Sequence, residues 1–176
     1  LPIYTRLSDA EENERKRLGL AESAQSEITG VADELAGRHL QFRPMGAADA
    51  EGASALEAAC FEDAGHEAWT PGMFLSELGE DVAAPRSWWV AHDDGQLLGL
   101  AGGMVVDGDV QILDVAVDPK HRREGIARKL LSHVSYDAQM LGCTTASLEV
   151  EDGNEGAIAL YASLGFTEAG RRRGYY

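Results

Sequence analysis

Between Val115 and Arg128 the chain reads Val-Ala-Val-Asp-Pro-Lys-His-Arg-Arg-Glu-Gly-Ile-Ala-Arg. This composition can hold a phosphate. An apolar strand ends at Asp118-Pro119, a basic turn follows, and Gly125 and Ala127 stand at the first turn of a helix. The first N–H groups of a helix have no internal partners, and its dipole is positive at that end. Small residues let an anion approach those donors, and neighbouring guanidinium groups add charge. Of fifteen Lys and Arg residues in a chain of net charge −15, five (Lys120, Arg122, Arg123, Arg128, Lys129) fall within the ten positions 120–129. A cationic island in an acidic chain points to one local anionic ligand, and a pyrophosphate fits. On charge alone a solvated surface turn explains the same residues. The stretch is neither the nucleoside-triphosphate loop, which needs Gly-x-x-x-x-Gly-Lys-Ser/Thr, nor the three-glycine dinucleotide fingerprint.

The elements that must position this turn are legible from periodicity. Leu40 to Arg43 alternates as a strand, and Gly46 to Phe61 is Ala-rich and helical. Thr70-Pro71 starts a second helix with Thr at the N-cap and Pro at the first helical position. Ser87 to Ala91 and Gln96 to Val106 read as strands joined by Asp93-Asp94-Gly95. Asp107-Gly108 is a hairpin signal leading into a strand from Asp109 to Val117. Ile126, Leu130, Val134 and Ala138 then recur on one helix face, which Gly142 can end. Thr144 to Val150 is another strand; Asn154 caps a helix through Leu164, and Phe166 onward returns as a strand. A strand meander followed by alternating helices and strands predicts an α/β fold, a mixed sheet with helices on both faces.

Bulk composition narrows the function. At 176 residues, 44% hydrophobic and 26% charged, the chain has the size and core of one domain. The acidic balance argues against direct nucleic-acid binding, which draws on positive charge. No apolar run is long enough to span a membrane, and the first residues lack the pattern of a secretory signal. Cys60 and Cys143 stand far apart without Cys or His companions, so neither a disulfide framework nor a zinc site is expected. Reduced thiols suit the cytoplasm. With no His-Glu-x-x-His pair, metal catalysis has no support.

Several ordered motifs make the chain recognisable. Arg122-x-x-Gly125-x-Ala127 resembles the acyl-CoA pyrophosphate motif of the GNAT superfamily of N-acetyltransferases. Leu148-Glu149-Val150, Asn154, Ala157-Ile158-Ala159-Leu160-Tyr161-x-x-Leu164-Gly165-Phe166 and Arg172-x-Gly174-Tyr175-Tyr176 are similar to the RimI-type ribosomal-protein-alanine N-acetyltransferases. Trp69-Thr70-Pro71-x-x-Phe74 resembles that family's Trp-Ser/Thr-x-x-x-Phe segment. The resemblance covers about His39 to Tyr176 and implies a GNAT fold, with a splayed pair of parallel strands holding acetyl-CoA.

It also implies roles. The backbone of Val115, Ala116 and Val117 would pair with the pantetheine arm. Arg122, Arg123, Glu124, Gly125, Ile126, Ala127 and Arg128 would surround the pyrophosphate, and Asn154 would touch the cofactor. Glu149 matches the family's general base: Leu148 and Val150 point to one sheet face, so Glu149 faces the other. Tyr161 matches the general acid, two helical turns beyond Asn154. The implied substrate is the N-terminal α-amine of a protein, in this family the alanine of a small-subunit ribosomal protein. A small-molecule amine, or a non-catalytic acetyl-CoA-binding module, are the other readings. Two departures stand out. Glu151-Asp152 replaces a basic position and favours a more basic peptide. The final strand of the family, which helps shape the peptide groove, is expected to be missing after Tyr176.

Residues 1–38 read as an arm outside the domain at 39–176. Ser8-Asp9-Ala10-Glu11 fits a capping box, and Ile28, Val31 and Leu35 fit a weak amphipathic helix running to Gly37. Pro2-Ile3-Tyr4-x-Arg6-x-Ser8-Asp9-Ala10-Glu11 resembles the C-terminal end of TsaB-type proteins, which implies a fused TsaB-type domain upstream.

Overall fold

The computed structural model describes residues 2–6, 33–35, 37–61, 67–80 and 82–171. Its strands are β1 (Pro2–Arg6), β2 (Asp33–Leu35), β3 (Arg38–Pro44), β4 (Arg86–Asp93), β5 (Gln96–Val106), β6 (Asp109–Val117), β7 (Thr145–Glu149) and β8 (Thr167–Arg171). The α-helices are α1 (Ala50–Phe61), α2 (Pro71–Glu77), α3 (Ile126–Met140) and α4 (Glu155–Ser163). The strands form one sheet in the order β2-β3-β4-β5-β6-β7-β1-β8. Every pairing is antiparallel except β6 with β7.

Local chemistry sets these elements. The turns Asp94-Gly95 and Asp107-Gly108 have positive φ at both residues, 46° and 82° in the first, 51° and 81° in the second. That is the conformation whose twist matches two antiparallel strands, and Asp-Gly adopts it at low cost. Thr70 caps α2 by accepting the Met73 N–H, and Asn154 caps α4 by accepting the Ala157 N–H. On α3, Ile126, Leu130, Val134 and Ala138 are each no more than 1% exposed, so the four-residue repeat is the face that packs on the sheet.

The helices flank the sheet in two layers. α3 covers one face, where its buried residues join Trp89, Leu98 and Val110. α1 and α2 cover the other, where Ala53, Leu56 and Phe74 meet Trp88, Val90 and Leu100. The glycines of β5 make room for α3 on one face and for the Trp88 indole on the other. A Cβ on Gly99 would stand 2.9 Å from Ile126 Cγ2, and one on Gly102 would stand 2.3 Å from the indole of Trp88.

An ion pair between a buried carboxylate and an exposed arginine fixes the entry to α1. Asp49 is 7% exposed and accepts both arms of the Arg43 guanidinium at 2.7 Å, together with the Gly46 N–H at 2.8 Å. Burial pushes the Asp49 carboxyl up, but Arg43, the Gly46 amide and His92 together outweigh it and hold the group below its usual range. A depressed folded-state pKa contributes stability above the unfolded value, ~3.9, which is lost as pH falls through the folded value. Asp49→Asn should therefore cost about 2 kcal/mol at pH 7, with the gap to the parent protein narrowing below about pH 4. Urea unfolding at the two pH values checks this.

Two expectations about the N-terminal region need revision. The helix expected to run to Gly37 does not: Asp33–Leu35 pairs antiparallel with Arg38–Leu40. Gly37, at φ 76°, makes the turn that folds one onto the other, a conformation glycine adopts without strain. Residues 2–6 are not a solvated arm either. They lie between β7 and β8, antiparallel to both, with Ile3 opposite Glu149. Pro-Ile-Tyr-Thr-Arg has the β-branched and aromatic content of a strand, which the charged stretch after it disguised. The capping box at Ser8–Glu11 and the positions Ile28 and Val31 lie outside the described residues.

Candidate active site

The site is built where β6 and β7 part. Their parallel ladder runs from Asp109 opposite Thr145 to Ile112 opposite Leu148. At the paired end, Asp109 accepts hydrogen bonds from Thr145 Oγ1 at 2.7 Å and from Ser147 Oγ, pinning the register. Beyond Ile112 the strands separate. β5 and β6 shift register between Gly102/Gly103, where Asp114 lies opposite Gly102 but Ile112 lies opposite Gly103. The extra residue, Leu113, makes a bulge, which bends a strand and increases its twist.

The segment Val115–Val117 remains paired with β5 on one side, at Ala101, Leu100 and Gly99. Its other side faces the opening. Ala116 is buried, while Val115 and Val117 are half-buried. The carbonyl of Val117 already accepts from Cys60 Sγ at 3.2 Å and Arg122 Nε at 3.4 Å. A ligand pairing with that carbonyl would replace or share those bonds.

The turn after β6 enters α3 through Gly125, at φ 89°, with no side chain capping the helix. The first intrahelical bond is Lys129 N–H to Gly125 O, which leaves the amides of Ile126, Ala127 and Arg128 as the helix's unpartnered donors. Arg123 also adopts a left-handed φ, 67°, uncommon for a residue with a Cβ. Arg122 and Arg123 are exposed. Arg128 is exposed too and donates to Ser163 Oγ at 2.7 Å, tying α3 to α4. Glu124 turns away from an anion, approaching His121 at 3.4 Å and Arg38 at 3.8 Å. Ile126 is core, 1% exposed, so a ligand could meet only its backbone.

Glu149 and Tyr161 lie on elements that flank the opening. Leu148 and Val150 are 4% and 7% exposed, whereas Glu149 is exposed on the opposite face. Tyr161 is 8% exposed on α4, packed edge-on against Phe166 with ring centres 5.8 Å apart. Burial, and then the neighbouring Asp114, push its hydroxyl up to about 12. Asn154 accepts the Ala157 N–H through Oδ1 at 3.1 Å, so a ligand would meet its amide nitrogen. Arg171 ends β8, and Arg172 to Tyr176 lie outside the described residues.

Sequence reasoning passed over three groups here: Glu57, Trp88 and Asp114. Glu57 is 2% exposed and accepts the Trp69 N–H at 2.9 Å. Its spacing from Ala50 and Ala53 on the buried face of α1 was the available signal, as was Asp114 in the otherwise apolar run Ile112–Val117. Among the described residues no group of three or more His, Cys, Asp or Glu could hold a metal ion, and no helix is long and apolar enough to cross a membrane.

Residues 51–166 match the model of the acetyltransferase (GNAT) family. The chain belongs to that family. It is 37% identical over 108 residues to the ribosomal protein bS18-alanine N-acetyltransferase of Escherichia coli, covering 61% of this chain and 70% of that protein. It is 37% identical over 134 residues to the N-alpha-acetyltransferase RimI of Mycobacterium tuberculosis, covering 73% and 79%. The crystal structure of the Escherichia coli ribosomal-protein alanine N-acetyltransferase superposes with a TM-score of 0.66 at 31% identity, over 78% of this chain and 83% of that one. The GNAT fold, a mixed sheet flanked by helices, is thus the architecture expected from the motifs, and the chain is an acyltransferase.

Proposed function

We propose that this GNAT enzyme transfers an acetyl group from acetyl-CoA to the N-terminal α-amine of a protein, a ribosomal protein beginning with alanine, in the cytoplasm. The observation that carries the reading is the uncapped start of α3. Its unpartnered amides follow the strand β6 that parts from β7, Arg122, Arg123 and Arg128 are exposed in the same stretch, and the relatives named above act on an N-terminal alanine or α-amine. A pyrophosphate satisfies those amides and balances those charges. The residues of this chain fit the group, and the thioester it carries supplies an electrophilic carbonyl.

The backbone of Val115 to Val117 holds the arm of the cofactor along the open side of β6, and the amide of Asn154 meets it from α4. An α-ammonium of pKa ~8 must lose a proton before it can attack. Glu149 takes that proton, directly or through a water. Backbone N–H groups of the splayed strand stabilise the charge that develops on the carbonyl oxygen. Tyr161 donates its O–H to the leaving sulfur. Burial holds the phenol protonated, its hydroxyl pushed up to about 12, so the proton is there to be given. As the C–S bond breaks the sulfur takes the phenol proton, and the second proton lost by the nitrogen as the amide forms replaces it, so coenzyme A leaves as the thiol.

Incubating the protein with acetyl-CoA and peptides beginning Ala, Ser or Met, then mapping the acetyl group by mass spectrometry, tests the reading. Label on the α-amine, fastest for alanine, is the expected result. Label confined to lysine side chains, or turnover only with polyamines or aminoglycosides, would overturn it. Residues 1–38 fit the tail of an upstream TsaB-type domain by their motif, and mass analysis of the natural gene product tests that separately.

A further inference from the structure

The basic turn that enters α3 is held unevenly. Its first half is bonded to the sheet and to itself: the Asp118 N–H donates to Leu98 O at 2.8 Å, and Asp118 Oδ1 accepts from the Lys120 N–H at 2.9 Å. The second half is not. Among the described residues no backbone–backbone hydrogen bond holds Arg123 or Glu124, although Arg123 at φ 67° and Gly125 at φ 89° are both left-handed. A residue with a side chain keeps that conformation only where its surroundings impose it. Glu124 lies between the two, so its side chain is the handle by which the sheet can set their backbone.

That handle is gripped by Arg38, the first residue of β3. Its Nη1 donates to His121 Nδ1 at 2.6 Å and stands 3.8 Å from Glu124 Oε2, while its Nε is 3.3 Å from Asp93 Oδ2 at the end of β4. A guanidinium can only donate, so Nδ1 of His121 accepts here and cannot also donate to Glu124 Oε1, 3.4 Å away. Glu124 Oε2 is buried and has no hydrogen-bond partner. A carboxylate so placed is costly unless a cation neutralises it, and Arg38 is the cation in reach. The pairing matters for a ligand too, because an uncompensated carboxylate two residues before α3 would repel an anion at the helix start.

We propose that Arg38 is a positioning residue for the cofactor: by holding Glu124 and His121 against β3 and β4, it sets the backbone from Arg123 to Gly125 and with it the direction of the unpartnered amides of α3. The proposal rests on coenzyme A being the anion at that turn, as argued above, and Arg38 acts on it only through its neighbours. Without Arg38 the Glu124 carboxylate is relieved by swinging into water, which turns the Arg123–Gly125 backbone with it. Cofactor affinity then falls, while the catalytic groups on β7 and α4 stay as they are.

Calorimetry with CoA on the whole chain tests this. Arg38→Met keeps the length of the side chain and removes the charge. Kd for CoA should rise about tenfold, in line with the loss of a hydrogen-bonded charge, and KM for acetyl-CoA with it. At saturating acetyl-CoA, kcat and the KM for an Ala-initiated peptide should stay within twofold. In a Glu124→Gln background the same substitution should cost no more than about threefold in Kd, because the charge that Arg38 neutralised is gone. An equal loss with and without the Glu124 charge, or a Kd for Arg38→Met within twofold of the parent, overturns the assignment while the acetyltransferase reading stands. Should Arg38→Met fail to fold, Arg38→Gln decides by the same comparison. A folded parent protein that binds no CoA overturns both.

Discussion

Replacing Glu149 by glutamine should lower kcat/KM for peptide acetylation by about 10²–10⁴-fold, the usual contribution of a positioned general base. CoA affinity measured by calorimetry should stay within twofold, because Glu149 is exposed on the far face of β7 from the core. Raising the pH should partly restore the variant, since a greater share of the α-amine is then already deprotonated. An unchanged rate would remove Glu149 from the chemistry. Tyr161→Phe should be milder, on the order of tenfold to a hundredfold. The signs of the two pH effects are opposite. In the proposed roles the base acts without its proton and Tyr161 acts with one, and a phenol held near 12 keeps its proton across the whole working range. Any alkaline loss of activity below about pH 10 therefore belongs to another group.

Gly102→Ala should be the most damaging single methyl in the described fold. The added Cβ would lie 2.3 Å from both Cδ2 and Cε3 of Trp88, inside a ring system that has little freedom to move. Trp88 is wedged against Trp69 and Phe74, with ring centres 5.4 Å and 5.5 Å away. Overpacking a rigid core costs about 3 kcal/mol or more, which for a domain of this size lowers Tm by roughly 6–12 °C. The same change at Gly156, on α4, meets nothing within 4 Å and should be neutral or slightly stabilising. A Tm for Gly102→Ala within about 2 °C of the parent would mean that the indole is free to swing away.

The elements that carry strong local signals were readable without a structure. β5, β6 and the buried face of α3 have both periodicity and punctuation: an Asp-Gly turn between the strands, and four apolar residues spaced by four on the helix. The basic turn into α3 was readable because charge, glycine and helix start coincide at Gly125. What stayed hidden depends on neighbours far along the chain. Nothing near Glu124 reveals its approach to Arg38, because the two come together only when the sheet assembles. Nothing near Pro2–Arg6 reveals its place between β7 and β8, because strand pairing is non-local and its preferences depend on context. At Asp33–Leu35 the helical spacing of Leu35 with Ile28 and Val31 misled, because the left-handed turn at Gly37 folds that segment onto β3 instead.

The placement of β1 sets an order of events in making the protein. Ile3 leaves the ribosome long before its partner Glu149 is synthesised. During that interval β1 has no sheet to join, and β7 and β8 emerge later still, so each begins as an exposed edge. Completing this part of the sheet must await release of most of the polypeptide, and joining such distant segments is slow. Local hairpins such as that of β5 and β6 face no such wait. A chain stalled before β7 would thus own a finished central meander and an unpaired β1, available to quality-control proteases.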